Sequence, residues 1–354
     1  MPHPGRLTLD LSVEEQPLKE PFAITGYVFE AMPALVVRLG DGVHVGRGEA
    51  AGVYYLGDDV AHMAGAVESV RAEIERGITR EALQRLLPPG GARNAVDCAL
   101  WELEAARAGQ PVWRLAGLES SRPLVTTLTA GAGTPERMAA ECRAFDESFG
   151  PTKALKLKLT GEPDLDIARV EAVRRACPTP WLGVDANQGY GLDDLRRVIP
   201  AFEGCGVKLI EQPLPRGAED QLDGFASPIP LAADESALSG EDLERLVGRF
   251  HVINIKLDKC GGLTEALSMA QRARALGFGL MVGNMAGSSW AMAPAFVLGQ
   301  LCDVTDLDGP ISLRNDREPG VRYQDGLVFC DDAVWGRGVS AEAGDEDEHL
   351  EPLN

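Results

Sequence analysis

The sequence predicts an α/β protein: a parallel barrel of alternating strands and helices joined to a smaller α+β unit. Three observations predict it. From about residue 123 short apolar runs alternate with amphipathic helical patterns, one pair every 20 to 30 residues or so, roughly the length of a strand–helix unit. Ahead of them lies a β-rich segment of about 50 residues, followed by helical patterns. No glycine-rich phosphate fingerprint follows an early strand, which places an open doubly wound sheet second.

The elements follow in order. MPALVVRLGDGVHVGRGEA (32–50) has two alternating runs about Gly40-Asp41-Gly42, the signal of a hairpin. Helical periodicity covers 58–77, 80–87 and 93–108. The eight strand candidates are PLVTTLTAG (123–131), KALKLKL (153–159), WLGVDAN (181–187), GVKLIEQP (206–213), IPLAADES (229–236), HVINIKLD (251–258), GFGLMVGN (277–284) and DVTDLDG (303–309). Helical patterns such as 164–177 and 263–277 separate them. Residues 1–120 are expected to form the α+β unit and 121–325 the barrel. From 326 the chain turns irregular and is expected to return to the first unit, ending in an acidic, solvated tail from 342.

Composition narrows the function. The 354 residues carry 34 basic and 54 acidic side chains, a net charge of −20, which would repel nucleic acid and anionic membrane. Seven scattered cysteines show no metal or redox spacing and suit reduced thiols. The start has no apolar signal core, so a cytoplasmic protein is expected. The uncharged stretch 277–302 approaches the length of a membrane span, but Gly283, Asn284 and Pro294 interrupt it, and a buried strand followed by a buried helix explains it better. The oligomeric state is left open, a homo-oligomer included.

Side chains alternate along a strand, so Lys156 and Lys158 point one way and Leu155, Leu157 and Leu159 the other. A solvated lysine face would explain this run taken alone. In parallel barrels, however, the chemistry gathers where the strands end. Asp185 ends the third strand, Glu211 the fourth, and Asp234 with Glu235 the fifth. Lys256 lies on the sixth, in phase with Asn254, and Asp306 and Asp308 share one face of the eighth. A helix cap could account for any single carboxylate. Three at consecutive strand ends point to a hard divalent cation, and all-oxygen ligands suit Mg²⁺. No histidine lies at these ends, which speaks against zinc or iron; His251, at a strand start, reads as structural.

A cation between two lysines suggests proton abstraction next to a carboxylate. The cation stabilises the enediolate charge as it develops. A lysine whose pKa is lowered by neighbouring positive charge can act as base near neutrality. Lysines on opposite sides of the ring address opposite faces of the carbon, which inverts it. On this reading Lys158 is a base and Lys156 a clamp on the substrate carboxylate.

These residues resemble a known family. KLK, DAN, EQP, DES and NIKLDKCGG, in that order, together with 94–118, are similar to the enolase superfamily and its muconate-cycloisomerase-like subgroup, most of all to dipeptide epimerases. The resemblance covers nearly the whole chain. It implies a modified (β/α)7β TIM-type barrel under an α+β capping domain, Mg²⁺ held by Asp185, Glu211 and Asp234, and Lys158 and Lys256 as paired acid/bases. The mandelate-racemase-like subgroup would need a histidine in VGNMAGSSW, which has none. Dipeptide epimerases carry an Asp-x-Asp like Asp306-Leu307-Asp308, two carboxylates suited to an α-ammonium group.

The chain also departs from its relatives. PFAITGYVFEAMPALVV lacks the arginine that holds a glutamate side chain, so an uncharged or apolar second residue is expected. Gly287 stands where relatives tend to carry a glutamate and is expected to enlarge the pocket. Tyr27 and Tyr54, with Phe29 and Tyr55, are candidate pocket walls. The reading is a Mg²⁺-dependent epimerase acting on the C-terminal residue of a dipeptide. An N-acylamino acid racemase or a muconate-type cycloisomerase is the alternative within the fold, and a metal-dependent binding protein the alternative outside catalysis.

Overall fold

The structure is a computed structural model that describes residues 5–24 and 26–340; the acidic tail lies outside them. The chain opens with an antiparallel sheet. β1 (Thr8–Glu14) pairs with β4 (Ala34–Gly40), and β4 pairs with β5 (His44–Ala50) across the Gly40–Asp41–Gly42 turn. β2 (Pro17–Ile24) and β3 (Tyr27–Ala31) form a separate hairpin. Helices α1 (Val60–Ser69), α2 (Arg71–Glu75), α3 (Arg80–Leu86) and α4 (Gly91–Ala108) follow. Asp59 and Thr79 cap α1 and α3, accepting from His62 N and Ala82 N. Leu35, Val37, Leu39, Met63, Val67 and Leu103 form a core of their own between sheet and helices.

After the two-residue β6 (Leu124–Val125) come eight parallel strands in sequential order. They are β7 (Thr127–Ala130), β8 (Ala154–Lys158), β9 (Trp181–Asp185), β10 (Leu209–Glu211), β11 (Leu231–Ala233), β12 (Val252–Ile255), β13 (Gly279–Val282) and β14 (Val304–Thr305). Each lies within one of the eight expected runs. Full helices follow β7, β8, β9, β12 and β13, whereas the crossover after β10 shrinks to a turn at Glu219–Leu222 and that after β11 to Leu243–Leu246. The stretch 277–302 is the buried strand β13 and the buried helix Ser289–Gly299, and no helix of the described residues is long and apolar enough to cross a membrane.

Among the described residues no backbone ladder joins β14 to β7. Side chains close the seam instead: Leu307 N donates to Thr126 Oγ1 (3.0 Å), Thr127 Oγ1 to Asp306 Oδ1 (2.6 Å) and Thr129 N to Asp308 Oδ2 (2.6 Å). Leu155, Leu157 and Leu159 pack outward into the core under the helices, worth about 1.5–3 kcal/mol each. Leu209, Ala232 and Met281 form a separate apolar cluster with Trp181, Val252 and Val304.

The segment after the barrel is less irregular than expected. β15 (Arg322–Gln324) and β16 (Leu327–Phe329) form a hairpin whose second strand pairs with β6, and β17 (Val339–Ser340) pairs with β5 of the first sheet. Strands of two or three residues are too short to show an alternating pattern, so the sequence does not reveal them.

Candidate active site

The strand pleat turns Lys156 and Lys158 away from the leucine core and into the barrel mouth. They are 3% and 9% exposed, so the solvated-face explanation fails. Their partners come from other strands. Lys158 Nζ pairs with Asp185 Oδ2 at 2.6 Å. Lys156 Nζ lies 2.7 Å from Asp306 Oδ2, 2.9 Å from Glu211 Oε2 and 3.4 Å from Asp185 Oδ2. Across the mouth Lys256 Nζ meets Asp234 Oδ2 at 2.7 Å. The structure thus gathers Lys156, Lys158, Asp185, Glu211, Asp234, Lys256, Asp306 and Asp308 at one end of the barrel.

The electrostatics differ from expectation in one respect. Burial opposes charge on Lys156 and Lys256, yet the carboxylates outweigh it: Asp306, Glu211 and Asp185 hold Lys156 well above the usual lysine value, and Asp234 and Glu211 raise Lys256. The expected lowering by neighbouring positive charge is outweighed here: Lys156 does act to lower Lys256, but the carboxylates around both lysines prevail. Asp185 and Asp234 are likewise held low, because Lys158 with Lys156 and Lys256 with Lys259 overcome their burial. Glu211 goes the other way, to about 7, pushed by burial and then by Asp185.

Among the described residues no three His, Cys, Asp or Glu side chains stand together as a formed metal cage. Lysine ammonium groups occupy the spaces between the carboxylates. Other features fit a hard cation. Asn187 Oδ1, Asn254 Oδ1 and Glu235 Oε2 are buried acceptors with no donor. They adjoin the same carboxylates, for Asn254 Nδ2 donates to Glu211 Oε1 (2.7 Å) and Asn187 Nδ2 to Glu235 Oε1 (3.4 Å). Glu235 is raised to about 8 by burial and by Asp234 and Asp185. Oxygen acceptors left without donors beside paired carboxylates are a donor set that Mg²⁺ would satisfy.

Asp306 and Asp308 occupy different environments. Asp306 is 4% exposed and already engaged by Lys156 and Thr127. Asp308 precedes the short helix Gly309–Ser312, but its side chain makes no cap bond and accepts from Thr129 N, so it is not the turn cap that its place before Gly309-Pro310 suggests. Burial and the neighbouring Asp306 raise it to about 7. Above the mouth, Tyr54 packs against Tyr27 (ring centroids 4.6 Å), Phe29 (5.1 Å) and Tyr55 (5.2 Å). Burial raises the Tyr54 phenol above its usual value, with Lys256 opposing the shift and Glu235, Asp234 and Asp185 adding to it. A cavity of about 490 Å³ borders the mouth between Tyr55 and Leu56 of the first unit and Gln188, Arg216 and Arg245 of the barrel loops.

Several residues escaped the sequence reading. Lys259 is wholly buried and donates to Asp234 Oδ1 (2.5 Å) and Asn254 O (3.0 Å). Gln212 joins two strand ends, accepting from Asp234 N (2.9 Å) and donating to Ser236 Oγ (2.8 Å). Asp258 accepts from Ala51 N and Gly52 N (3.0 Å each) and so anchors the loop that carries Tyr54. A polar residue inside an apolar run was the available signal for Lys259 and Asp258, which lie in NIKLDKCGG. Gly287 has φ +128 and a Cβ there would meet Ala291 Cβ at 2.8 Å, a backbone requirement for glycine. His251 Nδ1 accepts from Leu231 N (3.0 Å), a structural contact.

A capped parallel barrel whose mouth sets lysines against carboxylates from several strands defines a class of barrel proteins built for acid–base chemistry. Residues 8–117 match the N-terminal domain of mandelate racemase / muconate lactonizing enzyme, and residues 137–341 match the enolase C-terminal domain-like family. The chain belongs to the enolase superfamily. It is 38% identical to the L-Ala-D/L-Glu epimerase of Escherichia coli (strain K12) over 90% of this chain and 98% of that one. It is 40% identical to the N-acetyl-D-glutamate racemase of a Pseudoalteromonas species, over 76% and 84%. The crystal structure of a dipeptide epimerase from Methylococcus capsulatus, complexed with Mg and L-Arg-D-Lys, superposes with TM-score 0.86 at 29% identity, covering 95% of this chain and 99% of that one.

Proposed function

We propose that this protein is a Mg²⁺-dependent dipeptide epimerase of the cytoplasm that inverts the α-carbon of the C-terminal residue. The observation that carries the proposal is the placement of Lys158 at the end of β8 and of Lys256 directly after β12, each ion-paired to a different carboxylate of the mouth. Asp185, Glu211 and Asp234 would hold the metal. When bound, it supplies positive charge where the substrate carboxylate gains electron density.

The chain's own residues do the rest. Lys158 and Lys256 address the α-carbon from opposite faces, one removing its proton and the other returning one. Lys156, fixed by three carboxylates, contributes charge beside the site and orients Glu211 and Asp306, and in this proposal that role replaces the clamp. Lys259 and Gln212 hold Asp234 in place. Asp308 receives the α-ammonium group. Tyr27 and Tyr54 wall the pocket, and an aromatic wall with no cation in the matching loop supports an uncharged or apolar second residue.

A second reading has specific support. Asp306 is engaged by Lys156, which leaves Asp308 alone for an ammonium group, and the N-acetyl-D-glutamate racemase is among the similar proteins. An N-acylamino acid racemase would use the same lysines. Incubation in D₂O with Mg²⁺ and parallel sets of dipeptides and N-acylamino acids, read by mass spectrometry and chiral chromatography, separates the two. Deuterium uptake with inversion in dipeptides supports the epimerase; uptake confined to acylated amino acids replaces it.

A further inference from the structure

We propose that Glu49, a residue of the capping unit, is a positioning residue for the loop 283–288, which forms the wall of the mouth between Lys256 and Asp308. This rests on the epimerase reading above. The loop leaves β13 against the proposed base: a Cβ on Gly283 would lie 2.8 Å from Asn254 Oδ1 and 3.1 Å from Lys256 Cε. Its next residue reaches the neighbouring strand end, with Asn284 Nδ2 donating to Asp306 O at 2.7 Å. Asn284 Oδ1 accepts from Ala286 N at 2.7 Å and curls the chain so that Ala286 sits at φ +69. A non-glycine residue in that region persists only where its surroundings over-determine it.

Glu49 supplies much of that surrounding. It is 1% exposed and collects four donors: Oε1 accepts from Ser288 N (2.7 Å) and Gln16 Nε2 (3.0 Å), Oε2 from Ser288 Oγ (2.5 Å) and Arg317 Nη2 (2.8 Å). Gly287 closes the approach, since a Cβ there would stand 3.2 Å from Glu49 Oε1. Beyond the loop Asp316 accepts from Ser289 N (2.8 Å) and Ser289 Oγ (2.5 Å). A carboxylate can satisfy all four donors, whereas an amide offers one acceptor and turns an NH₂ toward the others. The cap thereby sets the gap between Lys256 and the end of β14, where the substrate must lie.

The test uses the full chain with Mg²⁺ and compares wild type, Glu49→Gln and Ser288→Ala, with L-Ala-L-Leu as substrate. Expected for Glu49→Gln is a KM raised about tenfold, the scale of one charge-assisted bond, with kcat and calorimetric Mg²⁺ affinity changed far less. Amide hydrogen exchange should rise in 283–289 and stay at wild-type levels in β8 to β12. Wild-type KM and wild-type protection in the loop overturn the proposal. So does a parallel fall of kcat, Mg²⁺ affinity and thermal midpoint, the signature of a merely structural role. Should Glu49→Gln fail to fold, Ser288→Ala, which keeps the Ser288 N–H bond, is expected to show the same KM and exchange pattern at smaller amplitude. A wild type that turns over no dipeptide refutes the epimerase reading, while loop exchange still decides the positioning role.

Discussion

Replacing Asp308 with Asn separates the dipeptide reading from its rival. Asp308 Oδ2 accepts from Thr129 N at 2.6 Å, and in the epimerase proposal the same carboxylate receives the substrate ammonium. Asn keeps an oxygen for Thr129 and so preserves the seam, but removes the charge. One charge-assisted hydrogen bond is worth about 1.5–3 kcal/mol, so dipeptide kcat/KM should fall about ten- to a hundredfold at 1.36 kcal/mol per tenfold. Asp308 is raised to about 7, and only its ionised form pairs with an ammonium, so wild-type kcat/KM should rise with pH through about 7. In Asp308→Asn that limb should be absent. The assay is steady-state epimerisation of L-Ala-L-Leu and of its N-acetyl derivative across pH 6 to 8 or so. The acetylated compound has no ammonium and should be a poor substrate that loses little more in the variant. If it outperforms the free dipeptide in the wild type, or if Asp308→Asn weakens both compounds equally, the role of Asp308 is refuted and the N-acylamino acid racemase takes its place.

Lys158→Ala and Lys256→Ala should each abolish α-proton exchange from one epimer while sparing slow exchange from the other, as followed by NMR in D₂O; equal loss from both epimers in both variants would argue against two bases. Exhaustive chelation should abolish turnover and Mg²⁺ should restore it, checked by activity after dialysis against EDTA, and full activity in the stripped protein would remove the metal assignment. Asp306→Asn takes one of three carboxylates from a buried ammonium as well as charge from the seam, so its thermal midpoint should drop more than that of Asp308→Asn. Asp258 is raised from 3.8 to about 7 by burial, so the folded state binds its proton more tightly than the unfolded one, and its contribution to stability is lost as pH rises from about 4 to about 7. Asp258→Asn should therefore gain stability relative to wild type across that window, as measured by denaturant unfolding; a difference that does not vary with pH would contradict the assignment.

The period-two alternation of KALKLKL determined which side chains face the barrel interior, because a strand offers only two directions and one was apolar. Strand ends carrying Asp185, Glu211, Asp234 and Lys256 were legible for the same reason, as costly charges in short apolar runs. The hairpin about Gly40-Asp41-Gly42 was local enough to read. The tertiary structure decided which charges meet. Lys156 and Asp306 are 150 residues apart in the chain, and Thr127 and Asp306 are 179 apart, so nothing local distinguishes Asp306, which Lys156 and Thr127 engage, from Asp308, which accepts from Thr129 N. Glu49 and Ser288, 239 residues apart, are paired only because the cap folds over the barrel. The lysine pKa values followed the same rule: their sign depends on how many carboxylates stand within a few ångströms, a count that exists only once eight strands have closed into one mouth.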